Sequence, residues 1–194
     1  VRVNPLPIPN FETSAPACLN QEIEFTNLST SSNGLIEIWT WDFGDGNTTT
    51  IVAPDNPDIS HLYTLDGIYS VSLTVTDEDG CENELIMQVE VSSSPIADYT
   101  FEEICYNDPV LFSDLSTTNG GADIQLWQWY FGDPGSGANN SSNIQNPSHI
   151  FSLPGTYTTT LIAVSILGCS DTTEQEIIVD PSPEVEFTIL EDSI

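Results

Sequence analysis

Positive charge is almost absent from this chain of 194 residues, which has no lysine, one arginine and 30 acidic residues. A formal net charge of −29 repels the phosphates of nucleic acids and the headgroups of anionic membranes. We therefore expect neither nucleic acid nor direct membrane insertion among its partners. The same surface favours solubility and attracts cations.

Most of the residue sets that carry chemistry are missing too. There are only two histidines, no CxxC pair for a zinc cluster or a thioredoxin-like centre, and no phosphate-binding loop. No apolar run approaches the ~18 residues of a membrane-spanning helix. With so few bases and so many carboxylates, no acid–base pair stands out. We expect a segment that is not an enzyme and that has no cofactor.

What the chain does have is an internal repeat with a period of 88 residues. Trp39-Thr40-Trp41-Asp42-Phe43-Gly44-Asp45 returns as Trp127-Gln128-Trp129-Tyr130-Phe131-Gly132-Asp133. A fixed period of this length indicates tandem domains. We predict domains at 7–92 and 95–180, with residues 1–6 as the last strand of a preceding repeat and 183–194 as the truncated start of a third.

Apolar residues alternate with polar ones along most of each repeat, and helical periodicity is absent. Tyr69, Val71, Leu73 and Val75, for example, are separated by serines and threonines. Short alternating strands between Gly, Pro, Asn and Asp turns are typical of an antiparallel β-sandwich. We therefore predict an all-β chain of two tandem immunoglobulin-like sandwiches, joined by short proline-containing linkers.

Each repeat carries two cysteines, which we predict to pair within their own repeat as Cys18–Cys81 and Cys105–Cys169. Disulfides form in oxidising compartments. This pairing therefore predicts passage through an oxidising compartment and an extracytoplasmic location.

The residues that both repeats retain are interpreted as scaffold. The tryptophans lie on one strand face with a phenylalanine, which favours core packing over a sugar-stacking platform. The aspartate after Phe-Gly would hold a turn, and the lone histidine would bond across strands. The retained residues are Trp39, Trp41, Phe43, Asp45, His61 and Tyr69, with Trp127, Trp129, Phe131, Asp133, His149 and Tyr157.

An acidic hairpin is the weak candidate for a metal site. Asp77, Glu78 and Asp79 could begin a calcium loop, but calcium requires six to eight oxygen ligands. The second repeat has Ser165-Ile166-Leu167-Gly168 there. A solvated acidic turn is the alternative interpretation.

Trp-x-Phe-Gly-Asp-Gly, followed by His61-x-Tyr63 and Gly67-x-Tyr69, resembles the polycystic kidney disease (PKD) domain. The resemblance covers both repeats and implies an immunoglobulin-like sandwich used outside the cell as a spacer or binding module. The second repeat departs from it at Tyr130 and Pro134, which puts the loop after the corner in doubt as a shared element.

The cysteine pair also resembles the variant of this domain in large surface proteins of the Bacteroidota. That resemblance implies a repeat array of a cell-surface adhesin, including gliding-motility adhesins and their filaments. It further implies O-glycosylation at Thr172 and Ser193.

The expected function is therefore a non-catalytic, disulfide-stapled spacer that carries force and projects a distal binding region of such an adhesin. The expected partners are neighbouring repeats of the chain, surface polysaccharide or other filament subunits. Two alternatives stay open: a carbohydrate- or protein-binding module, with calcium assistance, and an accessory spacer of a secreted hydrolase.

Overall fold

The computed structural model describes residues 4–14, 16–32, 34–102 and 105–182. Within them the chain is built of β-strands, which confirms the predicted all-β class with two antiparallel sandwiches. The predicted start of a third repeat at 183–194 lies outside the described residues, as do residues 1–3. Residues 4–6 form no strand.

The first repeat forms a three-stranded sheet, β1-β2-β5, and a four-stranded sheet, β4-β3-β6-β7. All the pairings between neighbouring strands of these two sheets are antiparallel. Its strands are β1 Phe11–Thr13, β2 Glu22–Asn27, β3 Ile36–Asp42, β4 Thr48–Val52, β5 Ile59–Leu62, β6 Gly67–Asp77 and β7 Glu82–Val91.

The second repeat copies this arrangement, with sheets ordered β12-β9-β8 and β11-β10-β13-β14. The main difference is a short 3₁₀ segment, Pro134–Asn140, after the β10 corner, where the first repeat turns directly into β4. Its strands are β8 Tyr99–Phe101, β9 Val110–Asp114, β10 Ile124–Tyr130, β11 Ser141–Ser142, β12 Ser148–His149, β13 Gly155–Ser165 and β14 Ser170–Val179.

Each sandwich has its own aromatic core, because alternate side chains of the facing strands point inward. In the first repeat Trp41 is fully buried, and its ring lies 5.1 Å from that of Phe11 and 5.7 Å from that of Phe25. Its indole N–H donates to the carbonyl of Pro57 at 3.2 Å. Trp129 is the fully buried counterpart in the second repeat.

By contact density the chain divides into two compact units, whose boundaries differ from those of the predicted domains. The first comprises 1–95 together with 118–123 and 164–170, and the second comprises the remainder. Two short segments of the second sequence repeat are thus built into the first unit. Ser92, the last residue of the first predicted domain, and Ser93, which lies between the two predicted domains, are buried.

No helix in the described part of the chain is long and apolar enough to span a bilayer.

Truncation of Trp41 tests the core. Trp41→Ala should lower the free energy of unfolding of the first repeat by about 3–5 kcal/mol, because it leaves a cavity among three aromatic rings. Trp41→Phe should cost less. Glu37→Ala, on an exposed position of the same strand, should change stability by less than about 0.5 kcal/mol. Urea unfolding measures all three variants, and equal losses for Trp41→Ala and Glu37→Ala would contradict this packing.

Candidate functional site

The retained aspartate and histidine of the first repeat, which sequence reasoning treated separately, form a pair. Asp45 follows β3 in the corner, His61 lies on β5, and His61 Nε2 is 2.8 Å from Asp45 Oδ2. The imidazole stacks on Phe43, with 4.0 Å between ring centroids, and meets the edge of Tyr63 at 4.6 Å. Because β3 and β5 belong to different sheets, the pair ties the two sheets together.

The second repeat builds the same cluster with deeper burial. Asp133 is 1% exposed and His149 is 4% exposed, and His149 Nε2 lies 3.1 Å from Asp133 Oδ2. The imidazole stacks on Phe131 at 4.3 Å and meets Phe151 edge-on at 4.6 Å. The backbone N–H and the hydroxyl of Ser152 also donate to the Asp133 carboxylate. Both Asp–His pairs are separated by 16 residues, a constant spacing that could have revealed them.

The corner glycine explains why Phe-Gly-Asp recurs at this place. Gly44 and Gly132 have φ of +75° and +70°, a conformation that disfavours side chains. A Cβ on Gly44 would lie 2.7 Å from the carbonyl oxygen of Ser70, and one on Gly132 would lie closer still to that of Thr158. The corner therefore approaches the neighbouring strand through glycine alone, and this approach orients the following aspartate.

The electrostatics of the cluster are those of a structural carboxylate. Burial by itself would raise the pKa of Asp133, but hydrogen bonds from Ser152 and His149 hold it below its ordinary value. At Asp45 the opposing effect of burial is likewise overcome, by hydrogen bonds from His61 and Asn47, so that its pKa is also lowered. Because their pKa values are lowered, both carboxylates stay ionised while they anchor the corner.

The tryptophans do not form a binding platform. Trp39 and Trp41 are buried in the first core, and Trp129 in the second. Trp127 is half-buried, and its indole N–H donates to Asp114 at 2.8 Å. Among the aromatic side chains that the structure describes, Tyr130 alone is largely exposed, at 48%.

One carboxylate of the acidic hairpin, that of Asp77, is bonded within the hairpin. Asp77 is 2% exposed, and its Oδ1 accepts hydrogen bonds from the N–H groups of Asp79 at 3.0 Å and Cys81 at 2.8 Å. In the described ranges no three His, Cys, Asp or Glu side chains converge well enough to hold a metal ion. The calcium candidates Asp77, Glu78 and Asp79 thus appear as a hairpin closed by Asp77, and the structure provides no ligand set around them.

The predicted cysteine pairing is wrong in this structure. Cys18 is bonded to Cys169, with Cα atoms 5.6 Å apart, and both residues lie in the first compact unit. Because a cysteine forms one disulfide, neither Cys18–Cys81 nor Cys105–Cys169 can exist beside this bond. Cys81 and Cys105 are free thiols, and Cys105 is exposed. A disulfide is consistent with an extracytoplasmic location.

The glycosylation candidates are only partly placed. Thr172 is exposed on β14. Ser193 lies outside the described residues.

The PKD domain family model matches residues 4–91 and 92–179. The chain belongs to the PKD family. This confirms the resemblance of both repeats to that domain. The parent protein implied by the cysteine pattern, a Bacteroidota adhesin, gains no support from these comparisons.

Curated relatives of this PKD pair are bacterial proteases. Collagenase ColA of Bacillus cereus is 35% identical over 97 residues, which is 50% of this chain and 10% of that protein. The pre-pro-metalloprotease PrtV of Vibrio cholerae is 39% identical over 77 residues, or 40% of this chain and 8% of that protein. The matched segment, half of this chain or less, therefore spans about a tenth or less of these relatives.

Two solved structures illustrate what the chain is similar to. The PKD1 domain of Vibrio anguillarum Epp is 31% identical and covers 46% of this chain and 96% of its own, with a TM-score of 0.40. The fibronectin(III)-like modules of Clostridium thermocellum CbhA are 11% identical over 92% of this chain and 100% of theirs, with a TM-score of 0.54. The latter likeness concerns the fold alone.

The Asp–His tie should make the two repeats differ in acid. The folded-state pKa of Asp133 lies below its unfolded value, so its contribution to stability is present above about pH 4 and is lost as the pH falls through the lowered folded-state value. Asp133→Asn should lower the unfolding free energy near pH 7 by about 1–3 kcal/mol. It should also weaken the loss of stability of the second repeat as the pH falls below about 4.

Asp45→Asn is the matched control. The Asp45 side chain is 17% exposed, so solvent screens its interactions. Its effect should be smaller and confined to the first repeat. Urea titrations at a series of pH values, followed through the backbone amide NMR signals of each repeat, separate the two. Equal effects of the two substitutions would contradict the dominance of the buried pair.

Proposed function

We propose that this PKD pair is a non-catalytic accessory segment of a secreted hydrolase, in which it acts as a load-bearing spacer. The observation that carries the proposal is the structural role of the polar residues that both repeats retain. The Asp–His pair has residue types that are common in catalytic sites and is present in both repeats. In each repeat it ties two sheets together. It is buried at Asp133 and His149 and partly buried at Asp45 and His61.

The nature of the relatives supports a hydrolase as the parent. Two are named as a collagenase and a metalloprotease, and the segments that match this chain make up only 10% and 8% of them. Domains of this size beside a much larger protease are accessory to it. The chemistry would then reside elsewhere in the parent chain, and the partners of this segment would be its neighbouring domains.

The disulfide and the charge support extracellular use. The Cys18–Cys169 bond is consistent with passage through an oxidising compartment, where disulfides form and persist. A net charge of −29 keeps such a segment soluble and repels anionic surfaces.

A cell-surface adhesin is the alternative parent, favoured by the cysteine pattern and by the acidity of the repeats. In that setting the segment would carry force between the cell and a distal binding region, with surface polysaccharide or filament subunits as partners. The spacer role is the same in both parents, so a mechanical measurement tests it directly.

Force spectroscopy with handles at the two termini tests the load-bearing role. The disulfide shields the 151-residue separation between Cys18 and Cys169 from stretching. Reduction should therefore lengthen the fully stretched chain by about 500 Å, at roughly 3.4 Å per residue. The measurement uses a Cys81→Ser/Cys105→Ser variant, which has no free thiols and so cannot form disulfide-linked dimers. A variant with Cys18→Ser/Cys169→Ser in addition should behave as the permanently reduced chain does.

Two outcomes would count against the proposal or its structural basis. Equal extension of oxidised and reduced chains would show that the staple bears no load. In the wild-type chain, which keeps all four cysteines, two separate gains of roughly 200 Å on reduction would indicate pairing within each repeat instead.

A ligand-binding role is favoured by one feature, the 3₁₀ segment Pro134–Asn140, because variable loops on rigid scaffolds carry recognition. The spacer proposal predicts no saturable binding of the labelled chain to insoluble collagen, and no hydrolysis of gelatin. Saturable binding that disappears when Pro134–Asn140 is replaced by the corresponding corner loop of the first repeat, Gly46-Asn47, would establish the binding module instead.

A further inference from the structure

The four cysteines belong to two structural classes. The first class, the leading cysteines, contains Cys18 and Cys105, each of which opens a turn ahead of the second strand of its repeat. The carbonyl of Cys18 accepts from the N–H of Gln21 at 3.2 Å, and that of Cys105 accepts from the N–H of Asp108 at the same distance.

The leading cysteines also share their backbone pairing. Cys18 forms an isolated parallel bridge to Ser92, and Cys105 forms one to Asp180. In each case the N–H of the residue after the cysteine donates to the bridge partner's carbonyl at 2.9 Å. Cys105 is therefore held by its backbone as Cys18 is.

The second class, the trailing cysteines, contains Cys81 and Cys169, each of which leaves the hairpin between the two longest strands of its repeat. The carbonyl of Cys81 accepts from the N–H of Asp77 at 3.0 Å, and that of Cys169 accepts from the N–H of Ser165 at 2.8 Å. The two hairpins are thus closed by the same hydrogen bond.

The observed disulfide joins one member of each class, and the two members come from different sequence repeats. Cys18 leads the first repeat and Cys169 trails the second. The cysteines left over are the trailing Cys81 and the leading Cys105, which are again complementary. Cys105 is exposed and Cys81 is partly exposed, so both thiols are accessible to a partner.

We propose that Cys105 of one copy of this chain forms a disulfide with Cys81 of a second copy, repeating the leading-to-trailing pairing of Cys18 with Cys169. The partner is thus another PKD repeat of the same kind, and successive copies would extend into a covalent ladder. This inference goes beyond the spacer role. If it fails, the spacer role still stands, since a chain that bears load as a monomer needs no such bond.

The reaction is a thiol–disulfide exchange with an external disulfide as oxidant. One thiolate displaces a glutathione thiolate from oxidised glutathione, and the second thiolate then displaces the other. Two protein thiols thereby become one disulfide, while their two electrons and two protons appear in two molecules of reduced glutathione.

The surroundings of Cys81 determine the pH and the salt concentration at which the coupling should be fastest. Partial burial raises the pKa of the Cys81 thiol, and the carboxylates of Asp77 and Asp79 raise it further. Less thiolate is then present at neutral pH, so coupling should be faster near pH 8.5. High salt should also speed it, because it screens the repulsion between two acidic copies.

The test is oxidation of the purified chain with a mixture of oxidised and reduced glutathione at pH 8.5 and 0.5 M NaCl. Non-reducing electrophoresis should show dimers, trimers and higher species that dithiothreitol returns to monomer. Cys81→Ser alone and Cys105→Ser alone should stay largely monomeric. An equimolar mixture of the two variants should yield dimers, with a Cys81–Cys105 peptide pair in the non-reducing peptide map.

Three results would overturn the proposal. Each single variant could dimerise as readily as the mixture, which would show symmetric and unselective coupling. The oxidised wild-type chain could stay monomeric with Cys81 and Cys105 joined to each other within it. It could also stay monomeric with both thiols free or capped by glutathione while Cys18–Cys169 remains intact, which would show that the two classes do not recognise each other between copies.

Discussion

The interaction on which each sandwich depends is the hydrogen-bonded pair of a corner aspartate and a strand histidine. In the second repeat Asp133 and His149 are almost fully buried, with the imidazole packed between two phenylalanine rings. A buried carboxylate is costly unless donors surround it, and here Ser152 supplies two more. Once satisfied, the pair fixes the corner to the opposite sheet and so sets how the two sheets face each other.

The rest of the repeat follows from that tie. Gly132 lets the corner approach the adjacent strand, and the buried tryptophan beside it fills the space between the sheets. This framework thus uses most of the aromatic residues, together with the aspartate and the histidine, that both repeats retain. A scaffold of this kind suits an accessory segment, whose purpose is to hold a position between other parts of a protein.

Much of this could be predicted from the sequence, for a physical reason. Alternation of apolar and polar residues along a strand directly reports which face is buried, so the strands around Trp41 and Tyr69 and the sandwich class were accessible. The Asp–His tie was not, although both residues were singled out, because periodicity says nothing about which loop meets which strand across two sheets. Only the constant 16-residue spacing offered a signal.

The sequence by itself determined the duplication, the β-sandwich class, the composition of the cores and the PKD family. Only the tertiary structure decided the partners of the four cysteines, joining Cys18 to Cys169 and leaving Cys81 and Cys105 free. The reason is that a disulfide requires its two Cα atoms to lie within about 7 Å. Repeat membership does not encode that distance, and the presence of one cysteine pair in each repeat made pairing within a repeat the natural but incorrect prediction.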